Sequence, residues 1–162
     1  MDTSLAYASV KDLATLIEKG SLSPVELTEY YLDRIERLDP RLNSFMLVTH
    51  QRARAAAQAA ETAIAGGNYL GPLHGIPFAV KDLVNVAGLP TTNGSILFKD
   101  RIARDDATVF SKLLQAGIVL IGKTGQVEFA FGATGINHHY GTPWNPWDAE
   151  VQRIPGGSSS GS

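Results

Sequence analysis

The nine residues Ala116-Gly117-Ile118-Val119-Leu120-Ile121-Gly122-Lys123-Thr124 decide the fold. Four consecutive large aliphatic residues, Ile118 to Ile121, leave no polar face, which is the pattern of a strand in a sheet covered on both sides. Gly117 closes the helix before it, expected from about Ala107 to Ala116, with Asp105 or Asp106 as cap and Val109, Phe110, Leu113 and Leu114 as apolar face. Further upstream, Phe78-Ala79-Val80 is a second short apolar strand, entered through Gly75-Ile76-Pro77 and delivering Lys81-Asp82 at its end. Strand, helix, strand implies an α/β layer with a sheet core covered by helices. The string Gly117 to Thr124 also matches the phosphate-loop pattern G-x-x-x-x-G-K-[ST]. In a true phosphate loop the glycines bracket a turn whose N–H groups wrap the phosphates. Here the intervening residues form the strand itself, so the match is read as accidental.

Toward the N-terminus the chain is helical. The first 65 residues contain only Gly20 of the 16 glycines. Ser9 and Asp12 resemble a capping box for a short helix stopped at Gly20, with Val10, Leu13, Leu16 and Ile17 at helical spacing. Ser23-Pro24-Val25-Glu26 is a stronger start, because Ser caps, Pro suits the first helical position and Glu reaches back. That helix is expected to end at Asp39-Pro40. Phe45 to Thr49 is a short extended segment, and Gln51 to Ala65 is an Ala-rich helix ended by Gly66-Gly67. The organisation expected is thus a helical front over 1–67 and an α/β part over 68–162, within one domain.

Composition removes several classes of function. The 162 residues carry 14 Lys and Arg against 16 Asp and Glu, a formal net charge of -2, so there is no global basic field for nucleic acid. There is no cysteine, which excludes disulfides, thiolate metal sites and a thiol nucleophile. The apolar runs are too short to span a bilayer, and Met1-Asp2-Thr3-Ser4-Leu5 lacks the basic start of a signal peptide, which favours a cytoplasmic setting. His50, His74, His138 and His139 show no metal-ligand spacing; adjacent His138 and His139 would point to opposite sides of an extended chain, and no metal is expected. Trp144 and Trp147 lie in the proline turn Pro143-Trp144-Asn145-Pro146-Trp147 and are read as pins of that loop to the core rather than a stacking platform.

Lys81 carries the chemical interest. A lysine at the end of an apolar strand sits where burial lowers its pKa, and a neutral lysine is a usable base. From the residues alone it could equally pair with its neighbour Asp82 or reach solvent. The terminal Gly156-Gly157-Ser158-Ser159-Ser160-Gly161-Ser162 could be a flexible linker, but it follows a run of rigid turn residues without a break in composition. A Gly-Ser turn of this kind gathers hydroxyls and N–H groups in one small volume, which suits acyl transfer.

Taken together, Gly71-Pro72-Leu73-His74-Gly75-Ile76-Pro77-Phe78-Ala79-Val80-Lys81-Asp82, Asp106-Ala107-Thr108, Ala116 to Thr124, Glu128-Phe129-Ala130, Asn145-Pro146-Trp147 and Pro155-Gly156-Gly157-Ser158-Ser159 resemble the amidase signature family. The resemblance runs through essentially the whole chain and implies hydrolysis or transfer of a non-peptide carboxamide by a Ser-cisSer-Lys triad, without a cofactor. Lys81 matches the family's base and Ser158 its bridging serine, whose bond to Gly157 is cis in the family. Ala130 matches a pocket-lining position, and Gly157 and Ser159 flank the serine on the substrate side. Gly125, where Asn is common in the family, and Ser160, where Gly is common, depart from the pattern. The resemblance places the nucleophilic serine, within a Gly-Gly-Ser string, about two dozen positions after Ser158, which is beyond Ser162. The chain is therefore expected to be the N-terminal part of an amidase signature domain, inactive alone. Its partners are expected to be a small-molecule amide and, at most, a second copy in a homodimer, with no direct nucleic-acid or membrane contact. Two alternatives stand beside amide hydrolysis. One is the amidase subunit of a tRNA-dependent amidotransferase, which takes ammonia from glutamine; the other is an inactive binding or scaffold piece.

Overall fold

A computed structural model describes residues 4–162; Met1 to Thr3, on which the signal-peptide reading partly rests, lie outside the described residues. The element order is α1 (Ser4–Tyr7), α2 (Val10–Glu18), α3 (Pro24–Leu42), β1 (Phe45–Val48), α4 (His50–Ala65), β2 (Pro77–Lys81), α5 (Thr108–Gln115) and β3 (Val119–Thr124). Single 3-10 turns at Ile96–Phe98 and Glu128–Ala130 punctuate the remaining loops. No helix among the described residues is long and apolar enough to cross a membrane.

The starts of α2 and α3 follow the capping chemistry in the sequence, whereas Asp106, read as a candidate cap of α5, accepts from Ala87 N on Oδ1 at 2.6 Å. Ser9 accepts from Asp12 N at 3.1 Å and opens α2. At the head of α3, the Ser23 hydroxyl accepts from Val25 N and Glu26 N, while Ser23 N donates to Glu26 Oε2 at 3.2 Å. The end of α3 differs from expectation, because the helix passes through Pro40 to Leu42. Proline lacks only its own N–H, so near a C-terminus it forfeits one ladder bond, and local partners close the turn. Here Asn43 N donates to Asp39 O at 2.8 Å, and the Asp39 carboxylate accepts from Ser44 N at 2.6 Å and Phe45 N at 3.2 Å.

The sheet has the order β1-β3-β2. Strand β1 runs antiparallel to β3, with Leu47 opposite Lys123 and Val48 opposite Gly122, and an irregularity between Phe45 and Leu47. Along the other edge Gly75 N meets Gly117 O, Val119 N meets Ile76 O and Asp82 N meets Thr124 O. These pairs advance together along both strands, so β2 and β3 are parallel, as a β-α-β crossover through α5 requires. The sheet is mixed and the protein α/β. Central strand β3 is buried at all six positions and extends three residues beyond Ile121, through Gly122-Lys123-Thr124. The residues that imitate a phosphate loop are therefore strand.

The chain forms two compact units. Among the described residues, one comprises 4–34, 49–78 and 111–121, the other 35–48, 79–110 and 122–162. The first is built on Leu13, Ile17, Leu27 and Ile76, with Leu5, Ala8, Leu22, Tyr31 and Ile64 packed around them. His74 is buried there, accepting from Leu70 N on Nδ1 at 3.2 Å and stacked on Tyr69. Gly117 makes room for it: at φ +86°, a Cβ there would lie 2.5 Å from His74 Cδ2. The second unit buries Val80, Val86, Ala103, Phe110 and Val127 and contains the candidate site.

Candidate active site

Strand β2 ends on Lys81, and the loop 155–162 brings Ser158 to it. Lys81 Nζ lies 2.7 Å from Ser158 Oγ. Partial burial pulls the Lys81 amine below its ordinary value, because the charged form loses hydration. The Gly157–Ser158 peptide bond is cis, as the resemblance implies. The Ser158 carbonyl accepts from Val127 N at 3.1 Å, which ties the serine loop to the chain after β3. Gly157 fills a space with no room for a side chain, since a Cβ would meet Gly135 N at 2.9 Å and Gly132 O at 3.1 Å. An amine and a hydroxyl at this separation can pass a proton between them.

Asp82, the neighbour that could have neutralised Lys81, is engaged elsewhere. Its Oδ1 lies 2.9 Å from Lys123 Nζ, in an ion pair whose side chains are 2% and 0% exposed. Its Oδ2 accepts from the Thr92 hydroxyl at 2.5 Å, Thr92 N at 3.0 Å and Gly94 N at 3.4 Å. Lys123 also donates to Pro90 O at 2.5 Å and to Thr91 Oγ1 at 2.8 Å, so each of its three protons has an acceptor. Burial pulls the Lys123 amine down and the Asp82 carboxylate pushes it back up. Reading the sequence does not single out Lys123. Its signal is a lysine continuing an all-apolar strand, which must find a buried anion, and Asp82 directly follows the adjacent strand.

The remaining candidate residues are placed less directly. Ala130 N donates to Val127 O at 2.9 Å, one step from the residue that holds Ser158. Phe129 and Ala130 both adopt positive φ, at +51° and +55°, so this turn is held in a conformation that non-glycine residues seldom take. Gly157 and Ser159 flank Ser158 and are exposed, whereas Ser160 is buried. The histidines go separate ways: His74 is in the first unit's core, and His139 Nε2 lies 3.2 Å from Glu128 Oε1 in the second. Among the described residues no group of three or more acidic or histidine side chains is arranged to hold a metal. Trp144 does pin its loop, donating from Nε1 to Asp148 O at 2.7 Å beneath the Arg41 guanidinium. Trp147 does not, being 94% exposed. Asn145 Oδ1 accepts from Trp147 N and turns the chain outward at that point.

The fold and this pairing define an α/β protein with a half-buried lysine facing a serine on a cis-bonded Gly-Ser loop. The family model Amidase matches residues 26–162, and the chain belongs to that family, the amidase signature enzymes. A curated relative from Acidothermus cellulolyticus, named as the A subunit of glutamyl-tRNA(Gln) amidotransferase, is 44% identical over 160 residues, covering 99% of this chain and 31% of the relative. The solved peptide amidase PAM, in complex with the competitive inhibitor chymostatin, superposes with a TM-score of 0.89 at 34% identity, covering 98% of this chain and 34% of that one. A bacterial aryl acylamidase belonging to the amidase signature family gives a TM-score of 0.88 at 31% identity, covering 96% and 32%. The chain spans about a third of the length of the curated relatives it matches. Members of the family act on C–N bonds as hydrolases.

These names correct one expectation. Composition and resemblance point to a protein whose partners are a small-molecule amide and at most its own copy. The relatives from Acidothermus, Azoarcus, Aromatoleum and Salinispora are each named as one subunit of an amidotransferase, so the expectation that leaves out other protein chains does not stand. Net charge and composition bear on non-specific association with polyanions and say nothing of a surface shaped for another protein chain.

Proposed function

We propose that this chain supplies the base and the bridging serine of an amide-cleaving site, and that the protein works as the amidase subunit of a glutamyl-tRNA(Gln) amidotransferase. The observation that carries the reading is the 2.7 Å approach of Lys81 Nζ to Ser158 Oγ, with Asp82 withdrawn into a pair of its own. In this mechanism an uncharged Lys81 takes the Ser158 hydroxyl proton as Ser158 takes one from a second serine. That serine attacks the amide carbon and forms an acyl-enzyme. The Lys81 ammonium then returns its proton through Ser158 to the leaving nitrogen, and water or another amine accepts the acyl group. Gly157, Ser159 and Ala130 line the substrate side. The relatives' shared name supports the amidotransferase setting over a free-standing hydrolase, and with it a role for partner subunits.

The test is ammonia release by the protein in its native assembly, with glutamine and with a simple carboxamide as substrates. Lys81→Ala and Ser158→Ala should each lower turnover by about a thousandfold or more while far-UV circular dichroism is unchanged. Turnover within tenfold of wild type in either variant removes that residue from the mechanism. A preference for glutamine, with other subunits retained through purification, supports the amidotransferase; equal use of simple amides by the isolated protein favours the hydrolase.

A further inference from the structure

Resting on the reading of Lys81 and Ser158 as base and bridging serine, we infer that Asn137 is a positioning residue for Ser158, acting through the Gln126–Val127 peptide group. The two ends of that one peptide hold the two residues. Its carbonyl, Gln126 O, accepts from Asn137 Nδ2 at 2.8 Å, and its N–H, on Val127, donates to Ser158 O at 3.1 Å. A trans peptide is a rigid plane whose C=O and N–H point opposite ways, so fixing the carbonyl fixes the direction of the N–H. A carbonyl that accepts a hydrogen bond also polarises its own peptide and strengthens that N–H as a donor. Ser158 is thereby held by its carbonyl, which leaves its hydroxyl for Lys81 at 2.7 Å.

Asn137 is buried and engaged on every polar group of its side chain. The second Nδ2 proton goes to Gly94 O at 2.8 Å, and Oδ1 accepts from His139 N at 2.8 Å and Tyr140 N at 3.0 Å. Two carbonyls at one end and two N–H groups at the other call for two donors and two lone pairs on a short side chain, which only the asparagine amide supplies. Aspartate has the length without the donors, and leucine has neither donors nor acceptors. Gly94 makes room for the amide: its φ is +68°, and a Cβ there would lie 2.9 Å from Asn137 Nδ2 and 3.0 Å from Gln126 O. The serine loop has a second tie to the same stretch, Gly161 N to Gly125 O at 3.1 Å, and the turn beyond is held by Ala130 N to Val127 O and Phe129 N to Asn93 O. Those ties are backbone to backbone; the bond from Asn137 is made by a side chain, and a substitution can remove it.

The experiment compares Asn137→Ala with the unmodified protein in its native assembly, by hydrogen exchange at the Val127 amide and by ammonia release. Exchange at Val127 should rise about tenfold or more, while that of the Val119 amide in β3 stays within about twofold. The kcat should fall about tenfold to a hundredfold with KM within about twofold, because the change displaces a reacting group and removes no substrate contact. Thr142→Val is the control for a loosened loop. Thr142 Oγ1 accepts from Asn137 N at 3.1 Å, so this variant frees the same loop while Gln126 O keeps its bond. Both readouts should then stay within about twofold of native. Asn137→Asp, which keeps the volume and the acceptor for His139 and Tyr140 but loses both donors, should reproduce the alanine result and serves if that variant fails to fold. A folded Asn137 variant with either readout unmoved overturns the inference, as does a Thr142→Val that lowers kcat as far, which would make Asn137 a structural residue of its loop. Native turnover in Lys81→Ala or Ser158→Ala would instead overturn the reading of the pair as base and bridging serine, so the two failures are told apart.

Discussion

At the scale of single residues, the site is a matter of which lysine meets which oxygen. Two lysines and one aspartate reach the parallel edge of the sheet. Asp82 pairs with Lys123, which leaves Lys81 facing Ser158. Sequence alone presents Lys81 and Asp82 side by side and cannot rank the two partners, because a covalent neighbour always looks available. The deciding residue, Lys123, sits in a string that imitates a phosphate loop and so draws attention to the wrong chemistry. Gly157 makes a second residue-scale point. A side chain there would press on the Gly135 and Gly132 backbones, which cannot yield as a flexible side chain can. Gly157→Ala should therefore cost about 1–3 kcal/mol in urea unfolding. A loss under a few tenths of a kcal/mol would show that the serine loop has slack.

Elements were legible where local chemistry fixes them. The Ser9 and Ser23 caps form as read, because capping involves residues within one turn of each other. Of the apolar run 118–121, Val119, Leu120 and Ile121 are central strand, as a run with no polar face between two glycines suits a sheet covered on both sides. Two of the boundaries that moved were set by distant or compensating partners: α3 continues through Pro40 on the strength of Asp39 and Asn43, and β3 continues to Thr124 because β1 and the chain beyond β2 pair with it. His74 gives the turn before β2 a pH dependence. Burial holds its imidazole below the usual value, and Nδ1 must stay unprotonated to accept from Leu70 N. The unfolded chain therefore binds the proton more readily than the native one. Stability should be full above the unfolded value of about 6.5 and fall as pH drops below it, levelling off once the folded value is passed. Thermal melts at pH 7.5 and 5.5 read this directly, and His74→Gln should reduce the difference. An equal difference in the variant would assign the effect to other groups.

At the scale of the molecule, the chain is an amidase family member that spans about a third of its relatives' length yet builds two compact units, each with a buried core. Leu27, fully buried beside Leu13, Ile17 and Ile76, is the clearest probe of the first. Leu27→Ala should cost about 2–5 kcal/mol in denaturant unfolding, and a cost below about 1 kcal/mol would mean the cluster can collapse around the gap. The second unit carries the account's central claim, that the fold holds Lys81 as an uncharged base against Ser158. The most direct measurement is the site-resolved titration of the Lys81 amine in the unmodified chain. The account predicts a midpoint below the ordinary lysine value of about 10.4. A midpoint at or above that value would contradict it, since a lysine charged across the working range cannot take the proton of Ser158.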